Sequence, residues 1–268
     1  VDSLTRFWFE ETSPLGYQIL IPLGALAIGY RRRTEIAHTY AELGQYFPDP
    51  THPKRRGNEL LIFLGTLFLV ASLMAQFPPI GVVGMIVVLA GIIHLIYGPF
   101  VLGTLRVPLA YLLLAVPLPQ SLLAWLTGVG QRIAIGFTAQ ILQILHVETA
   151  LRAPNLILPS GYLFEVTSAF SGLPILLPAG ALLILTAVLR RYRLRITLIG
   201  LILTGAIGII LNMFRVLTIA LVGNSNGWLG DRLHASPVWP FALLTFYLVD
   251  RVARQLARRQ MLKEEATA

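Results

Sequence analysis

Three groups in this chain can do chemistry away from bulk water. Arg215 lies within an apolar run, about seven residues from its end, or roughly 10 Å deep at 1.5 Å per residue. Asn212, three residues earlier, shares its helix face and is positioned to help satisfy it. His234 stands in the polar stretch Gly-Asp-Arg-Leu-His-Ala-Ser-Pro; an imidazole titrates near neutral pH and is the commonest general base. The third group is the stretch 161–173, Gly-Tyr-Leu-Phe-Glu-Val-Thr-Ser-Ala-Phe-Ser-Gly-Leu. There a short β-prone run feeds an apolar helix and sets Thr167, Ser168 and Ser171 at its mouth, where free N–H groups and the helix dipole favour a developing negative charge. Together these groups outline a hydrolytic or acyl-transfer site at a membrane face. One part is missing: the chain has no cysteine and no evident activated nucleophile.

Each group also has a structural use. A lone Arg at that depth costs a few kcal/mol unless it snorkels or finds a partner. Arg106, nearer the end of its own run, is read as snorkelling; the alternative without catalysis is a membrane transporter or scaffold that binds an anionic ligand at Arg215 and Arg106. His38, His52 and His94 fall on or near the expected cytoplasmic side, and His146 lacks a local motif. No His pair at ligand spacing and few carboxylates on one face argue against a metal site, and no phosphate-binding glycine loop is present. No cofactor is implied. Ser171-Gly172 admits a serine dyad with His234, as in rhomboid-type intramembrane proteases, although Ala169 replaces the first Gly of their Gly-x-Ser-Gly. The structural use of Ser171 is a helix N-cap.

The elements that must hold these residues are membrane helices. The chain is 56% hydrophobic and 13% charged, where a soluble domain carries roughly 25% charged residues, and its mean hydropathy is +0.72. Apolar runs near span length predict an all-α polytopic membrane protein of a single domain over residues 1–268. Expected spans cover 15–30, 59–77, 80–97, 99–118, 171–189, 196–222 and 238–256, with an amphipathic helix at 34–46. The stretch 120–146 carries Gln131, Arg132, Gln140 and Gln143 among apolar residues, so it is expected to lie along the interface or re-enter; if it crosses, the spans number eight. A small irregular extracytoplasmic cap should hold residues 148–170. The charge of +8 sits beside apolar runs, which marks orientation and contact with anionic membrane lipids and not nucleic acid. Arg31-Arg32-Arg33, Lys54-Arg55-Arg56, the Arg190–Arg195 cluster and the Arg-rich C-terminus should be cytoplasmic. The slightly acidic N-terminus (Asp2, Glu10 and Glu11 against Arg6) and the loops 148–170 and 223–237 should then lie outside.

Over residues 100–250 the sequence resembles the exosortase/archaeosortase family of membrane-embedded cysteine transpeptidases. The resemblance rests on Leu114-Ala-Val-Pro-Leu-Pro119, Ile157-Leu-Pro-Ser-Gly-Tyr-Leu-Phe-Glu-Val, Ser171-Gly172-Leu173, Asn212-x-x-Arg215 and His234, in that order. It implies an enzyme of the cell membrane that recognises a C-terminal sorting signal of exported proteins: a motif, a transmembrane helix and a basic tail. Cleavage would pass through a Cys thioester to water or to a lipid or glycan acceptor, with Arg215 and His234 as the family's Arg and His, and Asn212, Ser168, Ser171 and Gly172 in support. The family's Cys lies at or just before Ser-Gly-Leu. Ala169 is the expected position, since Cys→Ala is near-isosteric and inactivating, and the chain is then an inactive form of a parent enzyme. A Cys directly before Ser-Gly would instead fall at Phe170, and a natural Phe there would mark a non-catalytic relative.

The orientation predicts a labelling pattern. Single cysteines at Ser160 and Asn226 should react with a membrane-impermeant thiol reagent on intact cells, and one at Lys54 should not; the reverse pattern would invert the topology.

Overall fold

The structure, a computed structural model, describes residues 18, 20–46, 59–152 and 155–265. The acidic N-terminal residues, the start of the first expected span and Lys54-Arg55-Arg56 lie outside the described residues. Residues Tyr17–Pro119 form one compact unit, and Gln120–Ala268 belong to a second.

The first unit contains α1 (Leu20–Arg31), α2 (Arg33–Tyr46), α3 (Leu60–Ala75) and α4 (Pro78–Leu112). Helix α3 ends at Gln76, whose backbone is left-handed (φ 51°) and whose N–H closes on the Ser72 carbonyl. Helix α4 then opens on Pro78 and Pro79, where a missing N–H removes nothing from the helix ladder. The expected spans 80–97 and 99–118 are continuous in this element except at Gly98, where φ 83°, ψ 176° interrupts the helical backbone. That conformation is essentially confined to glycine, and Pro99 follows without an N–H to donate, so the break falls where the sequence placed it. Helix α1 packs against the second half of α4, where Gly24 lies close to Tyr111, and Arg32, just beyond α1, donates from Nη1 to the Thr104 carbonyl at 3.1 Å. Arg106 is exposed.

The second unit contains α5 (Gln120–Ile144), three short strands, α6 (Leu173–Leu189), α7 (Leu194–Ser225), α8 (Gly227–His234) and α9 (Trp239–Glu265). The expected irregular cap is an antiparallel sheet, β1 (Ala150–Arg152), β2 (Asn155–Ile157) and β3 (Leu163–Glu165), in that order, with Leu156 opposite Phe164. Alternation explains it: in β3, Leu163 and Glu165 face out and Phe164 is buried. Leu156, Phe164, Val166 and Phe170 share one core with Ala134 and Leu142 of α5 and Val216 and Ala220 of α7.

Among the described residues two helices are long and apolar enough to cross a membrane, Pro78–Ala115 (with its terminal 3₁₀ turn) and Leu194–Ser225, and three shorter ones, α1, α3 and α6, are apolar. Many of their large apolar side chains, such as Phe63 and Leu73 of α3 and Ile202 of α7, point outward. This is an all-α membrane protein with a small sheet inserted. Helix α9 differs from the expected apolar span at 238–256, because charge enters at Asp250. That carboxylate is buried and held by Arg254 Nη2 at 3.1 Å and Arg190 Nη1 at 3.3 Å, which ties α9 to the end of α6.

The Gly98 break makes a stability prediction. Gly98→Ala should lower stability by about 1–3 kcal/mol. Gly103→Ala, in helix with nothing near its Cβ position, should be neutral or stabilising by up to about 1 kcal/mol. Thermal unfolding in detergent separates the two, and equal midpoints would refute the strain argument.

Candidate active site

The site is built on a short piece of backbone. Strand β3 runs through extended Thr167 into a 3₁₀ turn, Ser168–Phe170, and then Ser171 and Gly172 lead into α6. The turn closes on itself, Phe170 N–H on the Thr167 carbonyl and Ser171 N–H on the Ser168 carbonyl, each at 3.1 Å. Neighbouring carbonyls are met by side chains from elsewhere. His234 Nε2 bonds the Glu165 carbonyl at 3.0 Å, and Gln131 Nε2 donates to that of Val166 at 2.7 Å. Arg215 Nη1 donates to the Ala169 carbonyl at 3.2 Å, and Asn212 Nδ2 to that of Phe170 at 2.8 Å.

Asn212 was expected to help satisfy Arg215. It does not: both project from one face of α7, as their spacing requires, but each reaches a separate carbonyl of the turn. Arg215 is 3% exposed, and its second amino group reaches the Ser236 carbonyl at 3.3 Å, so the guanidinium points inward and does not snorkel. Among the described residues it has no carboxylate partner. Instead its central carbon lies 4.5 Å from the centre of the Phe170 ring and 5.8 Å from that of Phe241. A cation over a ring face is attracted by the ring quadrupole, the more so where water is excluded.

His234 closes α8. A carbonyl can only accept, so the bond to Glu165 requires the proton on Nε2 and leaves Nδ1 to take or give a proton. The imidazole centre lies 4.8 Å from that of Phe170 and 5.7 Å from that of Phe164. Phe170, fully buried, therefore touches both candidate catalytic groups. Ala169 is half-buried and meets Arg215 through its carbonyl.

The helix mouth has fewer free donors than the sequence suggested. Gly172, left-handed at φ 83°, is the N-cap residue, not Ser171. The buried Ser171 hydroxyl accepts the Leu173 N–H at 3.3 Å, Pro174 has no N–H, and the Gly172 carbonyl takes those of Ile175 and Leu176. No hydrogen bond joins Ser171 to His234, whose Nε2 is committed to Glu165. Ser168 is exposed.

Sequence reasoning missed two supports on α5. Gln131 was visible as a polar residue in an apolar stretch, without a partner. Gly130 gave no signal: α5 comes so close to the turn that a Cβ there would overlap the Ser171 carbonyl.

The chain matches the family model described as Transmembrane exosortase (Exosortase_EpsH) over residues 8–256. It belongs to the transmembrane exosortase family. Membership suggests a membrane-embedded enzyme that processes sorting signals, in general a cysteine transpeptidase; this chain carries no cysteine in 268 residues. No curated protein and no solved structure matches it.

In this family member the approach of α5 is testable. Gly130→Ala should push the helix off the turn and lower stability by about 1–3 kcal/mol through overpacking. Gly136→Ala, whose Cβ meets nothing, should have little effect. Detergent melting midpoints that fall equally would remove Gly130 from the site's support.

Proposed function

We propose that this chain receives the C-terminal sorting signal of exported proteins at the extracytoplasmic face of the cell membrane. Its site is laid out for acyl transfer, with the nucleophile position at residue 170. The observation that supports this reading is the Phe170 ring, in contact with the Arg215 guanidinium on one hand and the His234 imidazole on the other. Ala169, the position favoured from the sequence, offers Arg215 a carbonyl and not its side chain.

The chemistry follows from what a thiol at 170 would meet. His234, through Nδ1, takes the thiol proton. The thiolate adds to the scissile carbonyl, and Arg215 stabilises the negative charge that passes from sulfur to the carbonyl oxygen. Collapse breaks the C–N bond, the departing amine takes the proton from His234, and a thioester remains. Water or the hydroxyl or amine of a lipid or glycan acceptor then attacks the thioester and returns the thiol. A substrate helix in the same bilayer limits the search to two dimensions, and its basic tail fixes the depth of the scissile bond. With phenylalanine at 170 the chain as it stands binds and does not cleave. A serine mechanism fits less well, because the Ser171 hydroxyl is buried and takes the Leu173 N–H.

Restoring a thiol tests this in a chain otherwise free of cysteine. Phe170→Cys should alkylate rapidly with iodoacetamide and process a co-expressed substrate bearing a transmembrane helix and basic tail. Ala169→Cys should do neither. In the Phe170→Cys background, Arg215→Lys should lower turnover by about 10²–10³, since lysine offers a mobile point charge in place of a planar fork. Processing by Ala169→Cys alone would return the nucleophile to 169, and inactivity of both would leave a binding protein.

A further inference from the structure

Helix α8 is only eight residues long, yet it carries the imidazole of the site. What holds it is a tyrosine that neither the family match nor the proposed chemistry assigns. Tyr162 precedes β3, and its ring lies at the crossing of α7 and α8. A Cβ on Gly223 of α7 would overlap that ring, and one on Gly230 of α8 would come 3.0 Å from it and 2.6 Å from the Gly223 Cα. The backbone around Tyr162 is tied as well. Its carbonyl accepts the Leu158 N–H at 3.0 Å, its N–H reaches Ser160 Oγ at 3.3 Å, and the Ser160 N–H reaches Asn224 Oδ1 at 3.2 Å. The phenol faces Asp231. Burial first, and that carboxylate second, push its pKa up to about 12, so it is neutral at any physiological pH.

The strand that follows Tyr162 touches α8 at the helix's far end, where the Glu165 carbonyl takes His234 Nε2. From Tyr162 to Glu165 is three extended residues, roughly 10 Å. From Gly230 to His234 is one helical turn, roughly 6 Å along the axis. The short segment 162–165 therefore grips α8 at two points about a turn apart. A grip at one point would leave the helix free to roll, and a roll of a few tens of degrees would break the Glu165 bond and release the choice of tautomer.

We propose that Tyr162 is the positioning residue of His234: its ring, wedged between Gly223 and Gly230, sets the rotation of α8 and so holds the imidazole as the Nε2–H tautomer with Nδ1 available for the proton. The inference rests on reading His234 as the proton carrier. The tautomer, however, is a property of the resting chain and is read without turnover, so a failure of the catalytic reading leaves this result standing.

The experiment uses the chain with ¹⁵N-labelled histidine in detergent, at about pH 8.5, two units above the reference imidazole pKa. The His234 signals are assigned by their loss in His234→Gln. Long-range ¹H–¹⁵N correlation should show one protonated and one unprotonated nitrogen, with the proton on Nε2. Tyr162→Ala should draw the two shifts together as both tautomers become populated, whereas Tyr162→Phe, which keeps the ring, should retain the original pair. Tyr162→Leu, which fills the gap only in part and lacks the flat ring, replaces Tyr162→Ala should the latter prove too unstable to purify, and should behave as it does. An unchanged pair in folded Tyr162→Ala or Tyr162→Leu would overturn the proposal. So would a pair averaged equally in Tyr162→Phe, since the hydroxyl and not the ring would then be the anchor.

Discussion

A buried guanidinium without a carboxylate, among the described residues, is the constraint around which the second unit is arranged. Burying an isolated cation costs several kcal/mol even after relaxation, and a protein tolerates it only when hydrogen bonds and polarisable surface replace the lost water. Arg215 obtains that replacement from the carbonyls of Ala169 and Ser236 and from the face of Phe170. One of those carbonyls lies in the turn before α6 and the other just beyond α8. Satisfying the cation therefore brings the turn and the histidine-bearing segment to the same place on α7.

The turn itself is held by its acceptors. Glu165, Val166, Ala169 and Phe170 present carbonyls to His234, Gln131, Arg215 and Asn212. Four donors from α8, α5 and α7 so converge on six residues of chain. Side chains that reach backbone specify where the main chain runs without dictating which side chain stands there. The position between the guanidinium and the imidazole can then carry different residues while the frame stays the same. Such a frame is preorganised, and a reacting group placed in it needs little rearrangement.

Phenylalanine is well suited to that position on packing grounds. Its ring meets the guanidinium through cation–π attraction and joins Phe164, at 5.3 Å and 68°, in the core beneath the sheet. A small apolar residue would leave a void beside a charge, and a carboxylate would turn the site into a buried ion pair. The two unpartnered polar atoms next to it, Arg215 Nε and Asn212 Oδ1, mark a site whose hydrogen bonding is incomplete.

Much of this was legible in the sequence because the signals are local. Composition and runs of apolar residues determined a helical membrane protein, since backbone groups in lipid must be satisfied within the element. Gly98-Pro99 marked a break, the spacing of Asn212 and Arg215 put both on one helix face, and the order of residues 157–173 placed a β-prone run before a helix. What the tertiary structure alone decided is which atoms meet. The partners of Gln131 and His234 lie 35 and 69 residues away, far beyond the period of a helix or strand. Hydropathy cannot tell a carbonyl from a side chain as the target of an arginine. For that reason Asn212 was paired with Arg215 when it binds Phe170, and Gly130 and Tyr162 went unremarked. The sequence drew attention to Ala169, but which side chain lies between the cation and the imidazole is a tertiary fact, and it is that of Phe170.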